Sequence, residues 1–552
     1  MNPALLADPR LLLVILISAL VALLGTLNVA ARPAAVLSGK VAQALSISSI
    51  FFMLSRFANM FYLPLVAGFK AHSEGPETLL GQIRWIIVGS AAGAWLSWIL
   101  LPNFVSLYCS LVQVVDEQGV RGLFRPTNLV LACTSFFKRA PLPARLFRLE
   151  GISPGFLCFN IFATAVWTIG ALSAIYCSAA LPNYASTGLL LSGLVNAFAA
   201  IAFSVWVDPQ AALITDQAVK GARPLIQVHS TALHLAVGNF LGSLLGLAML
   251  PLGIGLITRA TLLVGQQGTS VAGSIWSIVL LNAALTALAS TTYAARVSAV
   301  QTRQVATALS IYNLFFLVTR LSVQVYAPML GSLADHLARS RQLAQLEVLY
   351  RWVLAGATLG ALLGLLLLPS FVEIINRAIQ QLDRRGSIPA VLLACLNPRC
   401  WPTILSSFRL PGLLGVRLAD LRQPNFPRTF LYGNVLVLSV HSVGLMAAIY
   451  AGAELGPEHP ASGAATLLSS VVNGVATITL SLVVDPTLAR VTDQCVSGQR
   501  DPAQIRTAAV FLLLGMLVGT VLAQVVFRPA SSLISFGSQI FVLVLSWLAP
   551  RS

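Results

Sequence analysis

Apolar runs of about 20 residues or more constrain the fold of this chain more than any other feature of its sequence. They are continuous rather than alternating, and polar or basic segments separate them, which favours transmembrane helices over a β-barrel. Hydrophobic residues make up 57% of the 552 residues and charged residues only 9%, whereas about a quarter of the residues in soluble globular proteins are charged. The sequence therefore predicts an all-α, polytopic integral membrane protein with about 12 transmembrane helices.

The predicted spans fall into two sets of six. The first set comprises residues 11–31, 41–69, 84–115, 156–181, 186–207 and 229–257. The second set comprises residues 272–295, 305–331, 351–380, 428–453, 462–484 and 506–527. Residues 531–549 are a candidate thirteenth span, which would carry the C-terminus to the other side of the membrane.

The two sets of spans are related by an internal duplication. Residues 41–56 (VAQALSISSIFFMLSR) and 305–320 (VATALSIYNLFFLVTR) are identical at nine of 16 positions. Residues 196–221 and 473–498 are identical at 13 of 26 positions, and both contain the sequence VDP followed by TDQ. Two more matching blocks, on the third and fourth spans, keep the same order. Chance does not readily produce four collinear matches.

The duplication predicts two six-helix membrane repeats, residues 1–267 and 268–552. Because each repeat contains an even number of spans, the repeats are expected to be parallel and related by a pseudo-two-fold axis along the membrane normal. The net charge of +16 lies between the apolar runs, and its distribution predicts cytoplasmic first, third and fifth connections in each repeat. Residues 117–150 and 382–427 are then basic cytoplasmic segments that lie against anionic lipid, and no nucleic acid is expected as a partner.

An arginine lies deep inside the second span of each repeat. Arg56 and Arg320 come about 15 residues into their helices, or roughly 22 Å along the axis. One interpretation is a packing role, with the guanidinium bonded to carbonyls or helix ends. The other is a substrate site, because a guanidinium presents a planar, permanently charged fork to phosphate oxygens. Asn59 could extend that site, but the second repeat has Val323 at the aligned position and Gln324 beside it, so substrate contacts would differ between the repeats.

Four aspartates lie at or after the end of the fifth spans. Asp208 and Asp485 each precede a proline, and Asp216 and Asp493 follow two turns later. An aspartate followed by proline is typical of a helix start, with the aspartate as N-cap. The alternative makes these carboxylates partners of arginines or proton-coupling groups in gating.

Polar and helix-breaking residues recur at other equivalent positions. Asn196 and Asn473, within the fifth spans, either hydrogen-bond between helices or line the substrate pathway. Pro102 and Pro369 interrupt the third spans, as structural kinks or as broken helices beside a substrate site. Glycines four residues apart predict close helix packing at four places: Gly89 and Gly93, Gly356 and Gly360, Gly238 and Gly242, and Gly515 and Gly519.

Several motifs of soluble enzymes and pumps are missing from the sequence. It contains no phosphate-binding G-x-x-x-x-G-K-[ST] loop, no H-E-x-x-H and no G-x-S-x-G. We therefore expect a transporter without ATPase activity of its own, with no cofactor, metal site or catalytic residue.

The sequence resembles the Amj family, the alternate lipid II flippases of bacteria. The resemblance rests on AARPAAVLSGKVAQALS, LSRFANMFYLPL and SSVVNGVATI, and on VVDP followed by TDQ. It covers nearly the whole chain, which looks like two family units fused in tandem. It implies translocation of the undecaprenyl-pyrophosphate-linked peptidoglycan precursor from the cytoplasmic to the periplasmic leaflet of the bacterial inner membrane. It brings no set of site residues, so the site assignments above rest on the physical argument.

Three alternatives stay open at this point. A flippase for another polyprenyl-linked glycan would use the same buried arginines. A membrane enzyme acting on polyprenyl diphosphates would use them too, but it would need clustered carboxylates or a histidine base at membrane depth. A structural membrane scaffold would leave the buried arginines unexplained. The oligomeric state is undetermined, although one chain could act alone as a fused pseudo-dimer.

Overall fold

A computed structural model describes most of the chain, and every regular element in the described residues is helical. The described residues are 2–39, 41–69, 75–118, 125–140, 152–219, 221–385, 402, 405–417, 421, 428–480, 484–496 and 498–547. The predicted all-α class is confirmed.

The described residues of the first half form ten α-helices. They are α1 (Pro9–Leu27), α2 (Ala31–Ser38), α3 (Val41–Gly68), α4 (Pro76–Gln118), α5 (Pro126–Phe136), α6 (Pro154–Ala180), α7 (Ala185–Leu190), α8 (Ser192–Ala202), α9 (Asp208–Val219) and α10 (Leu225–Gly265). A 3₁₀ turn at Asn28–Ala30 joins α1 to α2, and a π-helical turn at Phe203–Val207 joins α8 to α9.

The described residues of the second half form eleven α-helices. They are α11 (Gly268–Gly273), α12 (Ile275–Ala289), α13 (Thr291–Thr302), α14 (Val305–Arg339), α15 (Leu343–Leu366), α16 (Leu368–Arg385), α17 (Arg428–Leu455), α18 (Ser462–Leu467), α19 (Ser469–Thr479), α20 (Asp485–Val496) and α21 (Ala503–Trp547).

Nine helical segments of the described chain are long and apolar enough to cross a membrane. They correspond to nine of the twelve predicted spans, which confirms a polytopic membrane protein. The other three predicted spans, 41–69, 305–331 and 462–484, fall on α3, on α14, and on α18 with α19. The third span of the second repeat is shorter than predicted, because α15 ends at Leu366 and α16 lies outside the nine apolar segments.

The candidate thirteenth span is continuous with the last helix. α21 runs for 45 residues, from Ala503 to Trp547, and passes through Pro529 without ending. A proline removes one backbone donor from a helix but does not by itself reverse the chain. At 1.5 Å per residue the helix is about 67 Å long, more than twice the roughly 30 Å hydrocarbon core of a bilayer. Residues 531–547 therefore extend the sixth span in the same direction.

The chain divides into two compact units. Unit 1 comprises residues 1–263, 457–468 and 537–552, and unit 2 comprises residues 264–456 and 469–536. Unit 1 thus includes α18, which comes from the second half of the sequence and packs against α3 and α7. The repeat boundaries at residues 267 and 268 stay a prediction.

Glycines allow the closest helix contacts inside each unit. A Cβ on Gly93 of α4 would collide with the carbonyl oxygen of Ala19 on α1, and a Cβ on Gly360 of α15 would collide with that of Ala283 on α12. Gly242 and Gly519 similarly face backbone oxygens on the fourth helix of their own repeat, at 2.7 and 3.0 Å from an ideal Cβ. The close packing predicted from the glycine spacing is confirmed.

Candidate functional site

The two arginine-bearing helices are long and unbroken. α3 has 28 residues and includes Arg56, and α14 has 35 residues and includes Arg320. The side chains of both arginines lie outside the described part of the structure. On α3, the neighbouring Ser55 is buried and its Oγ donates to the carbonyl oxygen of Val21 at 3.3 Å, which fixes this helix against α1.

The residues that follow the arginines differ in exposure between the two repeats. Asn59 is exposed on α3, while Val323 and Gln324 are half-buried on α14. Arg56 and Asn59 belong to unit 1, and Arg320 and Gln324 belong to unit 2.

Asparagines and glycines form matching contacts between helices of each repeat. Asn160 Nδ2 on α6 donates to Leu235 O on α10 at 3.2 Å, and Asn434 Nδ2 on α17 donates to Leu512 O on α21 at 2.9 Å. Each asparagine lies against a glycine of the partner helix, Gly238 in the first repeat and Gly515 in the second. A side chain at either glycine would displace the carboxamide. The same asparagine–glycine contact therefore positions α6 against α10 in the first repeat and α17 against α21 in the second.

The predicted site residues Asn196 and Asn473 make a second matching contact. Asn196 Oδ1 on α8 touches Gly170 of α6, and Asn473 Oδ1 on α19 touches Gly444 of α17. Both oxygens are buried without a hydrogen-bond partner, as are the Oδ1 atoms of Asn160 and Asn434. An unsatisfied buried acceptor costs about 1–3 kcal/mol. Both repeats have these unsatisfied amide oxygens at equivalent positions, so we infer that the asparagines have the same role in each repeat.

The aspartates lie on helices that pack against a short arginine-bearing helix. α9 carries Asp208 and Asp216 and packs against α2, while α20 carries Asp485 and Asp493 and packs against α13. The side chains of all four aspartates lie outside the described part. Beside them, Thr215 and Thr492 are buried and each donates to a carbonyl oxygen four residues earlier at 2.8 Å.

The backbone before Asp208 differs from the predicted helix start. α8 continues through the π-helical turn Phe203–Val207 directly into α9, so Asp208 lies within a continuous helical run rather than capping a new helix. Pro209 has no N–H to donate, which explains a widened turn just before it. Leu480 and Val484, at the equivalent place in the second repeat, are also π-helical. Such π-turns are frequent at functional sites.

The two prolines of the third spans occur in different backbones. α4 continues through Pro102 for 43 residues, whereas the second repeat breaks at Leu367 between α15 and α16, just before Pro369. At both places a later segment docks onto the helix. Ala140 N donates to Pro102 O at 3.2 Å, and Gly412 N donates to Leu366 O at 3.3 Å.

An ion-pair network joins three helices of unit 2, and the sequence reasoning missed it. Arg528 Nη2 on α21 lies 2.7 Å from Glu347 Oε2 on α15, and Arg528 Nη1 lies 3.3 Å from Glu454 Oε1 on α17. Arg351 also pairs with Glu347, and its Nη1 donates to Gln524 O at 2.7 Å. Only Glu347 and Arg351 are connected by a local, i,i+4 spacing; Arg528 and Glu454 come from distant segments, so the sequence does not indicate the network as a whole.

A polar chain joins three helices of unit 1. Thr164 Oγ1 on α6 donates to Asn239 Oδ1 on α10 at 3.0 Å, and Asn239 Nδ2 donates to Thr26 Oγ1 on α1 at 3.3 Å. The sequence reasoning also missed these three residues, because they come from distant segments and no spacing rule connects them. No group of three or more His, Cys, Asp or Glu residues in the described chain could hold a metal ion.

Comparison with known proteins identifies the family. The family model described as "Amj: Alternate to MurJ" matches residues 17–259 and again residues 281–537. The chain belongs to the Amj family. The two matched regions fit a tandem of two family units. The protein named Lipid II flippase Amj from Bacillus subtilis (strain 168) is 33% identical over 245 residues, which are 44% of this chain and 89% of that relative. No solved structure gives a significant match to this Amj-family chain.

Proposed function

We propose that this chain is a lipid II flippase of the bacterial cytoplasmic membrane. It moves the undecaprenyl-pyrophosphate-linked peptidoglycan precursor from the cytoplasmic to the periplasmic leaflet, as a transporter rather than an enzyme. The observation that carries the proposal is the match of both halves to the Amj family, together with the relative named as a lipid II flippase. The nine apolar helices of the described chain suit such a role.

Arg56 and Arg320 hold the diphosphate in this proposal. A bare diphosphate in hydrocarbon has a prohibitive desolvation cost, and guanidinium groups reduce it by supplying charge and paired N–H donors. Both residues lie deep in long helices at equivalent positions of the two repeats. The exposed Asn59 and the half-buried Gln324 extend the site differently in each repeat. Asn196 and Asn473 supply further polar contacts near the helix interfaces.

Gating residues lie at the π-turns and at the third helices. Asp208 and Asp485 lie at matching places on α9 and α20, whose packing against α2 and α13 brings an aspartate helix beside the helices of Arg32 and Arg296. Asp216 and Asp493 lie two turns further along the same helices. We assign these four carboxylates to coupling or gating.

Pro102 and Pro369 allow the third helices to bend, which gives the pathway a second point of movement. The transported diphosphate is the substrate and needs no resident cofactor in this scheme.

Complementation with a leaflet-exposure assay tests the proposal. Wild-type chain is expected to rescue a bacterial strain depleted of its lipid II flippases and to expose lipid II on the periplasmic face. Arg56→Ala and Arg320→Ala are each expected to abolish exposure while the protein still inserts and folds. Arg384→Ala removes an exposed arginine of α16 and serves as the matched control, with wild-type exposure expected.

Two outcomes would overturn parts of the proposal. Normal lipid II exposure in the Arg56→Ala, Arg320→Ala double variant would refute the arginine site but leave the flippase assignment standing. Rescue failure by the inserted wild-type chain, with translocation of another polyprenyl-linked glycan, would refute lipid II as the substrate. Release of phosphate from the lipid would indicate an enzyme instead.

A further inference from the structure

α5 is a short helix with an exposed apolar face. It has 11 residues, so it is about 16 Å long and too short to cross a bilayer. Val130, Leu131 and Phe137 are 63%, 45% and 80% exposed. Val130 and Phe137, which directly follows the helix, are seven residues apart and share one face, and Leu131 lies about 100° from Val130 at the edge of that face. A stable soluble surface rarely presents such a stripe without a partner.

The opposite face of α5 is fixed to the transmembrane helix α4. Asn128 and Ser135 are buried. Asn103 Nδ2 on α4 donates to the carbonyl oxygen of Phe136 at 2.9 Å, and the rings of Phe104 and Phe136 meet edge to face at 5.0 Å. The exposed stripe therefore has a defined orientation relative to α4.

The residues beside the stripe are basic. Residues 125–140 contain Arg125, Lys138 and Arg139 and no aspartate or glutamate, and Lys138 and Arg139 are exposed directly after Phe137. A short helix with an apolar face and a basic flank, attached to a membrane span, is suited to the boundary between headgroups and acyl chains.

We propose that α5 is an interfacial anchor that binds anionic phospholipid in the cytoplasmic leaflet. Its apolar stripe inserts beside the acyl chains, and Lys138 and Arg139 bind the phosphate groups. A protein partner or a second copy of the chain would need acidic groups facing these cations, whereas an anionic leaflet supplies that charge next to α4 itself. The anchor is independent of which lipid-linked glycan the chain transports.

The second repeat has a matching segment whose arginine is ion-paired. Leu405, Phe408 and Leu410 are 66%, 55% and 90% exposed, and Ser370 Oγ of α16 donates to Arg409 O at 3.2 Å. Here Arg409 Nη2 lies 3.3 Å from the carboxylate of Glu373. Because Glu373 also pairs with Arg377, it offsets only part of the charge, and the dependence on lipid charge is expected to be stronger at α5 than at the segment around Phe408.

Spin-label accessibility in nanodiscs tests the anchor. A nitroxide at Val130→Cys is introduced in full-length chain whose native cysteines are replaced by alanine. The discs contain phosphatidylcholine alone or mixed with phosphatidylglycerol. In mixed discs the label is expected to be accessible to oxygen and shielded from a water-soluble nickel complex. In mixed discs, the double substitution Lys138→Gln with Arg139→Gln is expected to reduce the partitioning of α5 into the bilayer by about fivefold for each basic residue removed. In phosphatidylcholine discs, the same substitutions should change the accessibility of the label little.

Two controls keep the result interpretable. A label at the exposed Leu16 of α1 reports correct reconstitution, and a label at Leu410→Cys with Arg409→Gln reports the second repeat, where a weaker dependence on lipid charge is expected. Water exposure at residue 130 in both discs, with Leu16 still immersed, would overturn the anchor. If the immersion of the label at residue 130 were the same with and without phosphatidylglycerol, and the same after both substitutions, the anionic-lipid assignment would be overturned. Neither outcome bears on lipid II exposure, which is measured separately.

Discussion

The two repeats share their packing contacts and differ in their polar side chains. Both place glycines of the third helix on the backbone of the first, and both place an asparagine of the fourth helix against a glycine of the sixth. The polar chain of Thr26, Asn239 and Thr164 in unit 1 has Ser290, Met516 and Leu438 at the aligned positions. At the glycine contacts any larger residue would collide with the neighbouring helix, so glycine is retained in both repeats. The polar side chains do not have this restriction and can differ between the repeats.

The ion-pair network is a polar feature of the second repeat that the first repeat lacks. Glu347, Arg528 and Glu454 tie together the third, fourth and sixth helices of the second repeat. The first repeat has Leu80, Pro251 and Ala180 at the aligned positions. These positions therefore carry ion-paired residues in one repeat and uncharged residues in the other, so the two repeats are expected to differ in how readily these helix ends separate.

The largest effect is expected where the repeats are most alike. Gly93→Val and Gly360→Val should each destabilise the fold by about 3 kcal/mol or more, because the new side chain collides with backbone that cannot move aside. Thermal unfolding in detergent, followed by size-exclusion chromatography, measures the loss. Gly255→Ala is the control, since a Cβ there meets nothing within 4 Å. A tolerated valine at one site alone would show that the shared contact has diverged.

The next effect should appear only in the second repeat. Glu347→Gln is expected to cost about 1–2 kcal/mol, because it weakens charge-assisted bonds to Arg351 and Arg528 that solvent partly screens. A double-mutant cycle with Arg528→Gln isolates their coupling. Arg84→Gln, at the position aligned with Arg351, is the control and should change stability by less than about 0.5 kcal/mol. Equal losses at Arg84 and Glu347 would contradict the asymmetry.

The helices and their close contacts could be predicted from the sequence because both leave local signals. Apolar runs mark the spans, and glycines four residues apart mark contacts such as that of Gly93 with Ala19. That Asn59 and Gln324 contact the substrate differently stays a prediction.

Other features depend on partners that are distant in the sequence. Pro102 and Pro369 look equivalent, yet only the second lies beside a helix break, where Gly412 N satisfies the Leu366 carbonyl. In the network around Arg528, the i,i+4 spacing connects Glu347 with Arg351, but no spacing rule connects that pair with Arg528 or Glu454. The continuation of α21 past Pro529 could not be predicted either, because a helix can end at a proline or continue through it with a kink.

Replacing the polar chain of unit 1 by the aligned residues of the second repeat tests whether the fold depends on that chain. Asn239→Met alone should cost about 1 kcal/mol, because it leaves Thr26 and Thr164 without their shared partner. Adding Thr164→Leu and Thr26→Ser reproduces the residues of the second repeat and should restore stability to within about 0.5 kcal/mol. Denaturation in detergent measures both variants. If the triple variant were less stable than Asn239→Met, the surrounding helices of the two repeats would not be interchangeable.

The smallest effect concerns Glu373 on α16, outside the apolar spans. Partial burial favours its protonated form, but hydrogen bonds and charge from Arg377 and Arg409 outweigh this and lower the pKa of Glu373 below its usual 4.5. A lowered pKa in the folded state means that the carboxylate stabilises the fold above its unfolded pKa, and that this contribution is lost as pH falls through the folded value. The wild-type chain should therefore lose stability relative to Glu373→Gln below about pH 4.5, by under about 1 kcal/mol because solvent screens these groups. The first repeat has Ser106 at the aligned position, so Ser106→Ala should leave the acid dependence of unfolding unchanged. An equal acid dependence in wild type and Glu373→Gln would show that the docked segment around Phe408 is held by its backbone and apolar contacts alone.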